Sequence, residues 1–194
     1  GLPPGVLNIV GGKAEVGAAL SNHAGIDKLS FTGSNAVGSQ VMRSSAAHCR
    51  PVTLELGGKS AILVFDDSDL DQAVEWIVAG ICWNAGQMCS ATSRLLVQDS
   101  IADALMLRLK SAFETLRVGN PLNGEVDMGP LTSQAQWSKV SEYFAIARSE
   151  GLHCLTGGDV QRDPGWFVNP TIYADVPVAS RLWSEEIFGP VLCT

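Results

Sequence analysis

The sequence predicts an α/β fold with a largely parallel sheet, and two observations carry that prediction. Runs rich in β-branched or other apolar residues, such as Lys28-Leu29-Ser30-Phe31 and Ala61-Ile62-Leu63-Val64-Phe65, alternate with runs of helical period. The 194 residues are 46% hydrophobic, enough for a sizeable core in one domain or in parts of two. No internal repeat or low-complexity stretch interrupts the alternation.

The elements follow in chain order. Lys28–Phe31 is a short strand, Thr32-Gly33-Ser34-Asn35 a turn, and Ala36 to His48 a helix that ends before Pro51. Pro51-Val52-Thr53-Leu54-Glu55-Leu56 is the next strand, broken by Gly57-Gly58, which we take as the domain hinge. Ala61–Phe65 starts another strand. Asp66-Asp67-Ser68-Asp69 then caps a buried helix carrying Leu70, Ala73, Val74, Ile77, Val78 and Ile81 up to about Trp83. Two further amphipathic helices are read from Ile101, Leu105, Leu109, Ala112 and Leu116, and from Trp137, Val140, Phe144 and Ala147, the last closing near Gly151.

Composition narrows the function classes. Thirteen basic residues against 20 acidic ones give net charge −7, and without a basic cluster nucleic acid is not an expected partner. The longest apolar stretch, Trp76–Trp83, is far short of the roughly 20 residues that span a bilayer, so no membrane segment is expected. Five cysteines at irregular spacing (49, 82, 89, 154 and 193) suit reduced thiols, and a cytoplasmic location is the expectation. Both ends read as cut, so targeting signals are not judged from them. His23, His48 and His153 lack partners at ligand spacing, and no metal site is expected.

Several residues suggest chemistry. Gly86-Gln87-Met88-Cys89-Ser90 sets a thiol beside a flexible glycine, so the backbone can turn and present sulfur to a carbonyl carbon; a buried loop cysteine is the alternative. The other four cysteines read as structural. Glu55 interrupts an apolar strand: buried, it would have a raised pKa and serve as general base, whereas alternation equally puts it on a solvated face. Thr32-Gly33-Ser34 at a helix start offers N–H groups and a hydroxyl to a phosphate, or is a plain loop. Gly11–Gly17 offers a second backbone approach without matching Gly-x-Gly-x-x-Gly.

Phe31-Thr32-Gly33-Ser34, Leu54-Glu55-Leu56-Gly57-Gly58-Lys59, Gly86-Gln87-Met88-Cys89 and Glu185-Glu186-Ile187-Phe188-Gly189-Pro190 occur together in the order and approximate spacing of the aldehyde dehydrogenases, which this chain resembles over essentially its whole length. The run Trp83–Arg94 is most similar to the betaine-aldehyde and aminoaldehyde members, in which an aromatic at the position of Trp83 boxes a cationic substrate; a core aromatic is the other reading of Trp83. The resemblance implies that residues 1–57 are the C-terminal half of a Rossmann-type NAD(P)-binding domain and 58–194 most of an α/β catalytic domain.

The same resemblance implies the site roles. Cys89 attacks the aldehyde, a hydride passes to NAD (or NADP), and Glu55 activates the water that hydrolyses the thioester to a carboxylic acid. Ser34, with Thr32 and Gly33, meets the cofactor pyrophosphate, Leu56 offers a backbone contact to the nicotinamide amide, Glu186 holds its ribose and Phe188 walls its pocket. Asn8–Lys13 departs from the family pattern, being one residue shorter. The full-length protein is expected to be a homodimer or homotetramer acting on a small-molecule aldehyde, and the 194-residue chain alone to be inactive. A cysteine esterase or thioesterase, or a non-catalytic fragment, are the competing readings.

Overall fold

The computed structural model describes residues 1–161 and 164–194, which divide into two compact units, Gly1–Gly57 and Gly58–Thr194.

The first unit is a small α/β layer. Helix α1 (Ala14–Asn22) leads to strand β1 (Leu29–Gly33), helix α2 (Asn35–Ala47) and strand β2 (Val52–Leu56). The two strands pair in parallel, Leu29 beside Val52 through to Gly33 beside Leu56. This is a strand–helix–strand crossover. Two expectations are corrected here. Thr32 and Gly33 belong to the strand, so the turn is confined to Ser34, which caps α2 by accepting from the Val37 N–H. Ala14–Gly17 is helical instead of a phosphate-approaching loop: Glu15 stands in the first turn of a short helix that buries no residue, whereas in the sequence Gly17 with the glycine pair before it reads as a loop.

Gly38 lies on the buried face of α2, where a side chain would meet the methyls of Leu56, its ideal Cβ falling 2.4 Å from Leu56 Cδ2. Its bare backbone lets α2 settle on β2. The buried Arg50 donates to the carbonyls of Ser21, His23 and Ile26 and to Ser44 Oγ, tying the α1–β1 connection to the end of α2.

The second unit holds a five-stranded sheet in the order β3-β4-β7-β6-β5: β3 (Ala61–Val64), β4 (Arg94–Val97), β5 (His153–Thr156), β6 (Thr171–Ala174) and β7 (Val191–Cys193). All neighbours are parallel except the edge pair β5–β6. The apolar run at the end of the sequence is the central strand β7, fully buried as a parallel strand flanked on both sides must be. Helices α3 (Leu70–Cys82), α4 (Asp99–Thr115), α5 (Gln134–Ser149) and the short α6 (Arg181–Ser184) cover it.

Asp69 caps α3 as expected, accepting from the N–H groups of Asp71 and Gln72. One core extends through Ile77 and Ile81 of α3, Leu105, Leu109 and Phe113 of α4, Val140 and Phe144 of α5, and all of β7. Phe113, not Ala112, fills the third position of the α4 stripe, because the aromatic ring takes the fully buried place.

Candidate active site

The loop that follows α3 has an unusual backbone. Asn84, Ala85 and Gly86 all adopt left-handed φ, at 51°, 53° and 72°. For two non-glycine residues in succession this costs on the order of 1 kcal/mol each, so packing must hold them there. The Asn84 side chain donates to the Gln87 carbonyl at 3.1 Å, and the Gln87 amide returns a bond of the same length to the Asn84 carbonyl. Gly86 runs against the backbone of Gly189: an added Cβ would sit 2.2 Å from the Gly189 oxygen. Only glycine satisfies both the φ and the approach.

Beyond this bend the Ala91 N–H bonds to the Met88 carbonyl at 3.2 Å, making Cys89 and Ser90 the central pair of a tight turn. Cys89 is exposed at its head, and its N–H stands outside the bond that closes the turn. The loop then returns to the scaffold, Thr92 N–H bonding to the Gly80 carbonyl of α3 and Arg94 N–H to that of Ser60.

The second loop of the unit, between α6 and β7, carries Glu186 and Phe188. Glu186 Oε1 accepts the Gly58 N–H at 3.3 Å, and Phe188 is itself left-handed, with φ of 60°. Gln136 of α5 steadies this loop by donating to the carbonyls of Ile187 (3.0 Å) and Phe188 (2.7 Å). Gly58, Gly86, Met88, Glu186, Phe188 and Gly189 line one narrow cleft. The cysteine loop and the Glu186–Phe188 loop are thus brought together. Beside them Lys59 Nζ is buried and has no hydrogen-bond partner among the described residues. Burial lowers its pKa, with Arg94 and Lys139 acting in the same sense and Cys193 and Glu186 opposing.

The five thiols are all free, and they differ sharply. Burial pushes Cys82 up to about 12 and Cys193 up to about 11, which makes both poor nucleophiles. Reading the remaining two as structural is corrected: Cys49 and Cys154 are exposed, one in the connection from α2 to β2 and one on the edge strand β5. Cys154 Sγ is nonetheless held to the Thr156 carbonyl, and partial burial raises its pKa.

In the first unit Glu55 lies on the exposed face of β2, alternating with half-buried Leu54 and Leu56. Of the two faces the sequence leaves open for Glu55, the solvated one is observed. Thr32 and Gly33 end β1, Ser34 opens α2, and Leu56 ends β2 against Gly38. A groove of about 830 Å³ runs between α1 and α2 beside Ser34, lined mainly by apolar and small groups including Ala14, Gly17, Phe31, Val37 and Val41. Trp83, in the second unit, is 72% exposed, which removes the reading of it as a core aromatic.

A thiol hydrolase needs a histidine next to its cysteine. Within Gly58–Thr194 the one histidine, His153, lies on β5 and lines a groove with Asp99, Asp175 and Trp183, away from the residues of the Cys89 loop. No group of three or more His, Cys, Asp or Glu side chains suited to a metal occurs among the described residues, and no helix there is long and apolar enough to cross a membrane.

Gln87, Gln136 and Lys59 went unnoticed as site residues in the sequence. Gln87 sits in the cysteine motif and Lys59 in the glutamate motif, but Gln136 lies in an ordinary amphipathic helix and carries no sequence signal.

The chain is 48% identical over 196 residues to a chloroplastic betaine aldehyde dehydrogenase of Beta vulgaris and 46% identical over 196 residues to a peroxisomal aminoaldehyde dehydrogenase of Pisum sativum, matching 100% of this chain and 39% of each relative. A crystal structure of Staphylococcus aureus betaine aldehyde dehydrogenase in complex with NAD+ superposes with a TM-score of 0.91 at 35% identity, over 95% of this chain and 37% of that one. The chain therefore spans about two fifths of the length of these relatives. The family model described as the aldehyde dehydrogenase family matches residues 1–194, and the chain belongs to that family.

Proposed function

We propose that the full-length protein oxidises an aldehyde to a carboxylic acid with NAD, and that Cys89 is its nucleophile and Glu55 its general base. The observation that carries this reading is the setting of Cys89: an exposed thiol at the head of a tight turn, on a loop pinned at Gly80, Ser60 and Gly189 and lined up with the Glu186–Phe188 loop. Such fixing of a nucleophile on a rigid support is what covalent catalysis requires.

The Cys89 thiolate forms a C–S bond to the aldehyde carbon, and the Cys89 N–H, free of the turn's own bond, is available to the oxygen of the thiohemiacetal. Glu55 takes a proton from the water that later cleaves the thioester. The groove beside Ser34 fits a cofactor: its apolar walls suit an adenine, and the N-terminus of α2 presents N–H groups and a capped hydroxyl to a pyrophosphate. Thr32, Gly33 and Leu56 supply backbone near that end, Glu186 would hold the nicotinamide ribose and Phe188 would flank the ring. When bound, the nicotinamide supplies the hydride acceptor. NADP is the alternative cofactor.

The substrate class follows from the relatives' names and from Trp83, whose exposed ring face is free to meet a cation, so betaine aldehyde or an aminoaldehyde is the proposed substrate. A homodimer or homotetramer is the proposed assembly. Five free thiols suit a reducing compartment; the cytoplasm is our reading, against the chloroplastic and peroxisomal labels of the relatives. In the full-length protein, aldehyde-dependent NAD reduction should vanish in Cys89→Ala, and Glu55→Gln should accumulate a thioester visible by mass spectrometry. Undiminished turnover in Cys89→Ala would sink the proposal.

A further inference from the structure

We propose that Gln87 and Gln136 are paired positioning residues that clamp the thiol loop and the Glu186–Phe188 loop to one point, the N-terminus of α5, so that neither loop holds its working geometry without the other. The inference rests on the functional reading above. Gln87 Oε1 accepts the Thr132 N–H at 2.9 Å, immediately before Ser133, the residue that caps α5 by accepting from the Gln136 N–H. One turn into that helix, Gln136 spends both hydrogens of its amide on the consecutive carbonyls of Ile187 and Phe188.

The two glutamines thus act on opposite sides of one short segment, Thr132–Gln136. Each also restrains strained backbone. Gln87 closes the left-handed bend at Asn84 and Ala85, and Gln136 holds the carbonyls flanking and belonging to left-handed Phe188. Between them the loops touch at Gly86 and Gly189, where no side chain would fit. Two strained loops in direct contact, tied to the same helix end, share their restraint: releasing either tie relaxes both.

The test is a double-mutant cycle in the full-length protein with Gln87→Leu, Gln136→Leu and the pair. It reads kcat, KM for NAD, and the rate at which iodoacetamide alkylates Cys89 in the absence of cofactor. Each single change should lower kcat by about tenfold, and the double variant by little more than either single one. Both singles should shift Cys89 alkylation by a similar factor, although Gln136 makes none of the Cys89 loop's hydrogen bonds. Gln87→Glu, which keeps the acceptor for Thr132 but loses the donor to Asn84, should lose less activity than Gln87→Leu, whereas Gln136→Glu, which loses the donor to both carbonyls, should behave like Gln136→Leu.

Folding is controlled by circular dichroism and thermal unfolding of every variant, and if a leucine variant unfolds the glutamate pair decides. A double variant whose loss is the product of the single losses overturns the clamp. So does an unchanged alkylation rate in the Gln136 variants, or equal behaviour of the two glutamate variants. A wild-type protein without aldehyde-dependent NAD reduction would instead refute the functional reading, while the alkylation cycle would still report on the clamp.

Discussion

The two units of the chain reach order by different means. Gly58–Thr194 contains the whole continuous apolar core, with a fully buried central strand and four covering helices. Gly1–Gly57 buries only Gly38, Val41, Ser45 and Arg50, and the hydrogen bonds of one arginine connect its parts. Fifty-seven residues leave little interior to build with. The run of consecutive left-handed residues at Asn84–Gly86 is found in the unit with the larger core, whereas the smaller unit has a single left-handed non-glycine residue, Cys49 after α2, with a helix N-terminus and an open groove. The difference teaches that consecutive left-handed residues need a packed scaffold, whereas a capped helix start needs little core behind it.

The sharpest way to break this comparison is to add one methyl group to each unit. At Gly86 a Cβ must adopt left-handed φ and overlap the Gly189 carbonyl, so Gly86→Ala should destabilise the second unit by about 3 kcal/mol or more, read by denaturant unfolding. At Gly17, in α1, a Cβ meets open space, and Gly17→Ala should leave the first unit unharmed or gain up to about 1 kcal/mol of helix stability. Similar effects of the two substitutions would dissolve the distinction between a strained and an open unit.

A smaller effect concerns the buried charge at Lys59. Its folded-state pKa lies below the ordinary 10.5, so between that lowered value and 10.5 the unfolded chain holds a proton that the folded chain has released. Stability therefore rises with pH through this window and is reduced below it. Lys59→Met should stabilise the chain at neutral pH by about 1 kcal/mol and flatten the alkaline rise, as measured by urea midpoints between pH 7 and 11. An unaltered pH profile would show that the ammonium is not the destabilising group.

Much of the fold was legible in the sequence because its signals are local. Asp69 announces α3 by its carboxylate, the β-branched runs mark β2 and β3, and the apolar period of α4 and α5 marks their buried stripes. Helix α1 escaped because it is short and its Gly17, with the glycine pair before it, reads as loop punctuation. The candidate residues with motif company (Ser34, Glu55, Cys89, Glu186 and Phe188) could be named from the sequence. The face of Glu55 could not, since the sequence suits a buried general base and a solvated strand residue equally; nor could the exposure of Cys49, Cys154 and Trp83.

What the sequence by itself determined is the α/β class with a largely parallel sheet, the strands β1 to β3 and helices α2 to α5 in their order, and the family to which the motifs belong. Tertiary structure alone decided which loops share a cleft, and that Gln136, 47 residues beyond Cys89 in sequence (136 − 89), braces the loop facing it. The physical reason is that propensity and capping act within one or two helical turns. The left-handed bend at Asn84–Gly86 and the close approach at Gly189 exist only when distant backbone is packed against them.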